Sequence, residues 1–195
     1  MSKYALTGIG MIALVFIYSS CYQKLEIKRI DVKYYTGLFE PFLNISYQEL
    51  QDEKPHINNN SMDVKEAVIT DPQVLLQIQQ ELSKIDVSPK KDKPGSEDIR
   101  IICTIEYKDG RTDKIGIEGR FTDYLTLNGH HCKNCFRLMY LIKKSIGYYS
   151  RMHEDTFPLF YELQDSSFKD TIINDRGQKY WRGKPNRYSP DGKPI

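Results

Sequence analysis

The chain has 195 residues, 28 of them Lys or Arg and 26 Asp or Glu, for a formal net charge of +2. Charge so close to balance gives no global argument for nucleic acid, whose phosphates call for a basic surface. Hydrophobic residues at 39% allow a packed core that is not large, and the 14 tyrosines and 8 phenylalanines are read as filling a β-rich core in preference to forming a contact surface.

The first element is a leader. Lys3 precedes an apolar run from Ile9 to Tyr18, and Ser19, Ser20 and Cys21 follow. A positive end, a short apolar middle and small residues before a cut are the order of a secretory signal. The run is about ten residues long, half of the roughly 20 that cross a bilayer as a helix. With a cysteine directly after the small residues, the segment resembles a bacterial lipoprotein signal peptide. The resemblance covers residues 1–20 and Cys21 only. It implies that Cys21 is acylated, becomes the new N-terminus and ties the protein to a membrane of the cell envelope, in the periplasm or on the surface. An uncleaved anchor and plain secretion are the alternatives.

Residues 21–175 are expected to form one α+β domain with an irregular N-terminal segment. Leu25, Ile27, Ile30 and Val32 alternate with charged residues but slip phase between Ile27 and Ile30, which predicts a bulged strand or two short ones. Residues 36–61 show no clear period. Val64, Ala67 and Ile69 mark a strand within residues 63–70. Asp71 then caps a helix, with Pro72 in its first turn and Val74, Leu75, Ile78, Leu82 and Ile85 on one face. That helix should end near Asp86, and residues 88–98 read as an exposed loop.

A β segment follows. Ile99, Ile101, Cys103, Ile105 and Tyr107 share one face, and Arg100, Ile102, Thr104 and Glu106 the other, mostly polar one. A turn at residues 108–111 leads to a return strand at residues 114–118. A third strand over residues 121–127 ends at Asn128-Gly129, a strong hairpin signal, and residues 130–133 pair back. A second helix is predicted over residues 134–146, with Phe136, Met139, Ile142 and Ile146 inward and Gly147 as its stop. Residues 157–163 are apolar enough to dock on the domain. Residues 176–195 are basic and rich in Gly and Pro, and read as a mobile tail. The sum is an antiparallel sheet of four to five strands with two main helices packed on one face.

His130-His131-Cys132-Lys133-Asn134-Cys135 is the one stretch with chemical potential, and three readings stay open. A Cys-x-x-Cys beside a helix start could act as a dithiol redox pair. His130 or His131 with Cys132 and Cys135 offers three zinc ligands, with Cys103, His56 or His153 as a fourth. The third reading is structural. A two-residue turn pairs Leu127 with His130, Thr126 with His131 and Leu125 with Cys132, so Cys132 shares a face with Leu125 and Leu127. A Cys103–Cys132 or Cys132–Cys135 disulfide is compatible with an exported chain. No phosphate loop, nucleophile elbow or metalloprotease motif is present, and no cofactor is expected. The favoured function is that of a cell-envelope lipoprotein acting as a non-enzymatic binding or accessory protein, such as an inhibitor or an immunity-type protein. Its partners are the membrane, through the N-terminal lipid, and another protein, with no nucleic acid. The alternative is an envelope thiol-redox or metal-binding protein using Cys132 and Cys135.

Overall fold

The computed structural model describes residues 26–36, 44–53, 64–91, 98–118, 124–150, 152, 154–165 and 168–181. The leader, Cys21 and residues 182–195 lie outside them. In chain order the elements are β1 (Ile27–Tyr35), α1 (Tyr47–Asp52), β2 (Val64–Ile69), α2 (Pro72–Leu82), β3 (Asp86–Lys91), β4 (Ile99–Tyr107), β5 (Thr112–Glu118), β6 (Leu125–Leu127), β7 (His130–Lys133) and α3 (Phe136–Ser145). A 3-10 helix (Glu154–Leu159), α4 (Tyr161–Gln164), β8 (Thr171–Ile173) and β9 (Lys179–Trp181) complete the list. Strands β1 to β7 form one antiparallel sheet in the order β2-β1-β4-β5-β6-β7-β3, and β8 pairs with β9 apart from it.

The protein is therefore α+β, but its sheet has seven strands where four to five were expected. The slip in β1 is a bulge: its register against β4 shifts between Ile27 and Arg29, and it remains one strand. Strand β3 lies where a loop was expected. Its residues Asp86, Pro89 and Lys90 have poor β propensity, yet it closes the open side of β7, pairing Asp86 with Lys133 and Val87 with Cys132. Proline is tolerated there because β3 is an edge strand and its register shifts between Val87 and Lys91. Helix α2 consequently stops at Leu82, short of the expected Asp86.

Helix α2 is otherwise as read. The Asp71 carboxylate accepts from the backbone N–H groups of Gln73 at 2.8 Å and Val74 at 3.2 Å, and Leu75 and Ile78 are buried. It packs with α3 on the sheet face formed by Ile30, Val32, Ile101, Cys103, Ile115 and Ile117. The expectation that helices occupy one face holds for α2 and α3 but not for α1. Leu50 of α1 packs with Val64, Ile99 and Ile102 on the opposite face. A register shift between Ile99 and Ile101 turns Ile99 to that side, so the second face of β4 is partly apolar. Gly116 lies beneath this packing, and a Cβ there would meet Thr126 Oγ1 at 2.9 Å and Ile99 Cδ1 at 3.0 Å.

Helix α3 is buried on more than one stripe. Met139 and Ile142 are covered as expected, but so are Leu138, Tyr140, Leu141 and Lys143, while Phe136 and Ile146 are half-buried. The reason is the C-terminal segment. Phe157, Phe160, Leu163 and Phe168 are buried in the same core and cover the outer side of α3. Lys143 and Glu162 meet there at 2.7 Å with side chains 1% and 0% exposed. The Tyr149 hydroxyl donates to the same Glu162 oxygen at 2.8 Å. Burial and the adjacent carboxylate hold that hydroxyl well above the usual tyrosine range. The rings of Phe160 and Tyr148 lie 5.1 and 5.7 Å from the Lys143 ammonium. Many of the aromatics are thus core, not surface. The first residues of the segment read as a loose tail are structured, since residues 179–181 are β9.

Candidate functional site

The His/Cys stretch occupies β7 and the start of α3. Asn128 and Gly129, with φ of 53° and 78°, make the two-residue turn. The register is Leu127 with His130, Thr126 with His131 and Leu125 with Cys132, as the turn chemistry predicted. His131 therefore points to the face opposite Cys132 and stacks on Tyr124, with ring centroids 4.7 Å apart. His130 Nδ1 lies 2.9 Å from the Ser88 carbonyl oxygen, which accepts its proton. Cys132 Sγ donates to the His130 carbonyl at 3.4 Å, and Cys135 Sγ lies 3.8 Å from the Cys132 carbonyl and 3.8 Å from Met139 Sδ.

Cys103, Cys132 and Cys135 are all buried. Cys103 is on β4 and Cys132 on β7, with β5 and β6 between them. Three strand spacings are about 14 Å, whereas a disulfide needs Cα atoms within about 7 Å. A Cys103–Cys132 bridge, one of the two pairings open from the sequence, does not fit this strand order. Burial pushes the Cys103 thiol far above its ordinary range. His56 and His153 lie outside the described residues, among which no three His, Cys, Asp or Glu side chains form a metal-holding group. In the folded protein all three thiols should react slowly with a water-borne thiol reagent, and denaturation should release all three at once. Rapid stoichiometric labelling of Cys132 or Cys135 in the native state would contradict this placement.

A second group of polar side chains lies on the open face of β2, β1 and β4, beside α1. Alternation along the strands brings Asp31 and Lys33 of β1, Glu66 and Val68 of β2, and Ile102 and Thr104 of β4 to this side. Register places Lys33 between Glu66 and Ile102, and Asp31 between Val68 and Thr104. Helix α1 forms the wall. It begins in a capping box, where the Ser46 hydroxyl accepts from Glu49 N–H and the Glu49 carboxylate accepts from Ser46 N–H at 2.7 Å. Those hydrogen bonds hold the Glu49 carboxyl below the usual carboxylate range. The helix has no basic residue in its own last turn. Lys33 supplies that cation from β1, donating to the Gln51 carbonyl at 2.8 Å. Its ammonium also lies 3.7 Å from Glu66.

Asp31, Lys33, Gln51, Glu66, Val68 and Thr104 are among the residues that line a cleft of about 250 Å³. Its charges largely answer one another, so it offers hydrogen bonds and apolar area more than a field. Val68 is 56% exposed at its rim. The outer edge of β2 has no partner strand among the described residues. Edge β3, by contrast, is blunted by Pro89. None of the cleft residues was singled out from the sequence as a site. Their signal is weak because four separated segments supply them, although Ser46-x-x-Glu49 marks the wall of the cleft as a capping box.

The arrangement defines an α+β protein with a cleft on the open face of an antiparallel sheet. No family model matches the chain, and neither a curated protein nor a solved structure matches it.

Proposed function

We propose that this chain is a cell-envelope lipoprotein, anchored through lipid on Cys21, that acts without catalysis by binding another protein on the open face of its sheet. It serves as an accessory, inhibitor or immunity-type protein. The observation that carries the reading is the cleft beside α1, where exposed Val68 and the edge of β2, which has no partner strand among the described residues, adjoin Lys33, Glu66 and Thr104. A partner strand gains main-chain hydrogen bonds from such an edge and specificity from the side chains beside it. The lipid reading rests on the order of Lys3, the apolar run, Ser19, Ser20 and Cys21. Among the described residues no helix is long and apolar enough to cross a membrane.

The anchor is tested by Cys21→Ser. Stable attachment needs two acyl signals, because a single chain binds only marginally. The variant is expected to leave the membrane fraction or to accumulate with its leader uncut. Intact-mass measurement of the membrane-bound parent should show acyl groups on a chain that begins at Cys21. A mature, membrane-bound chain without lipid would refute the anchor.

A further inference from the structure

We propose that the end of the domain formed by Glu26, Lys28, Leu76 and the turn from Lys108 to Arg111 rests on the phospholipid headgroups of the membrane that holds the chain. The inference rests on the anchor proposed above and adds an orientation to it. Four residues separate Cys21 from Glu26, and five Cα steps reach at most about 18 Å. The headgroup layer takes about 5–8 Å of that reach. Glu26 is therefore held close above the membrane surface.

The fold determines what accompanies Glu26 there. Its carbonyl accepts from Lys108 N–H at 2.9 Å, and its carboxylate pairs with the Lys108 ammonium. Ile27 pairs with Tyr107, and Ile27 N–H donates to Gln79 of α2 at 3.3 Å. The start of β1, the β4–β5 turn and α2 are thus one surface. A cleft of about 180 Å³ opens in it, lined by Lys28, Lys108, Pro72, Leu75, Leu76 and Gln79. Leu76 is 47% exposed beside buried Leu75. An exposed apolar side chain flanked by long lysine stems suits the headgroup layer, where such stems bury against apolar groups and their charged ends stay in water.

Charge is not the driving force. Lys28 and Arg29 pair with Glu106, Lys108 with Glu26, and Arg111 with Asp109, so the surface is nearly neutral. The tether imposes the contact. The strands then rise from the membrane, and Tyr35, eight residues along β1, stands about 26 Å further out. The open-face cleft is left facing sideways, within reach of a partner in the same membrane.

The test uses the full chain expressed with its leader and recovered in its own membranes. A fluorophore is placed at Asp109→Cys, or at Lys108→Cys should the first variant fold poorly, and separately at Gln48→Cys on α1. The three native thiols of the domain are buried and do not compete. Phospholipid carrying a headgroup nitroxide is then added. Strong quenching at position 109 or 108 with little at 48 is expected. Equal quenching, or stronger quenching at 48, would overturn the orientation, and a chain absent from the membrane would overturn it together with the anchor. Intact mass of the same sample reports lipid on Cys21, so loss of the anchor reading and loss of the orientation are separate results.

Discussion

Glu162→Ala is expected to destabilise the protein by about 3–5 kcal/mol, the range for breaking a buried ion pair from one side. Removing the carboxylate leaves the Lys143 ammonium with side-chain exposure of 1% and without its 2.7 Å partner. The faces of Phe160 and Tyr148 do not replace a counter-ion. Tyr149 also loses its acceptor. The double variant Lys143→Met with Glu162→Leu should recover most of the loss, because apolar groups of similar volume often match or exceed a buried pair. Denaturant unfolding followed by far-UV circular dichroism measures both. Lys84→Ala provides the contrast, since its pair with Glu81 is largely exposed and worth about 0–1 kcal/mol. If Glu162→Ala cost no more than Lys84→Ala, the C-terminal segment would not be docked on α3 as described.

Ile78→Ala should cost about 2–5 kcal/mol, for lost transfer energy and the cavity it leaves. Ile78 is fully buried at the centre of α2, in the core shared with α3 and the sheet. Gln80→Ala, on the exposed side of the same helix, should change stability by less than about 0.5 kcal/mol. The same unfolding measurement separates them. Comparable effects at the two positions would mean that α2 does not present the 75/78 face to the sheet.

Legibility in the sequence followed the strength of local signals. Helix α2 announces itself through Asp71, Pro72 and a continuous stripe, and its start is the predicted one. The β6–β7 hairpin follows from Asn128-Gly129 alone, down to which residues face each other. Strand β3 was hidden because Pro89 and three lysines from 90 to 93 resemble a loop, and only the open edge of β7 makes them a strand. Helix α1 was hidden because six residues carry too little periodicity, and Leu50 is its one buried position. The stripe of α3 was read too narrowly for a tertiary reason: periodicity shows the face toward the sheet but not a second layer arriving from residues 157–168.

The two sites differ in the same way. The His/Cys stretch is contiguous, so its geometry was readable from one turn and one strand. The cleft joins residues 31–33, 51, 66–68, 102 and 104, which no spacing rule links. Strand order alone brings them together, and strand order was not available from pattern.

Docking of another protein on the open face of β2, β1 and β4, as proposed above, is checked by recovering the tagged full chain from its own membranes, as the parent, as Val68→Arg and as Gln80→Arg. Val68 stands exposed at the rim of the cleft, and Gln80 lies on the other side of the sheet, on α2. An unpaired charge set into an interface costs about 2 kcal/mol or more, so Val68→Arg should weaken the partner's affinity about 30-fold. The expected result is a protein that is retained by the parent and by Gln80→Arg and lost from Val68→Arg, with all three chains unfolding at the same denaturant concentration. A partner held equally by all three chains, or lost from Gln80→Arg instead, would contradict it.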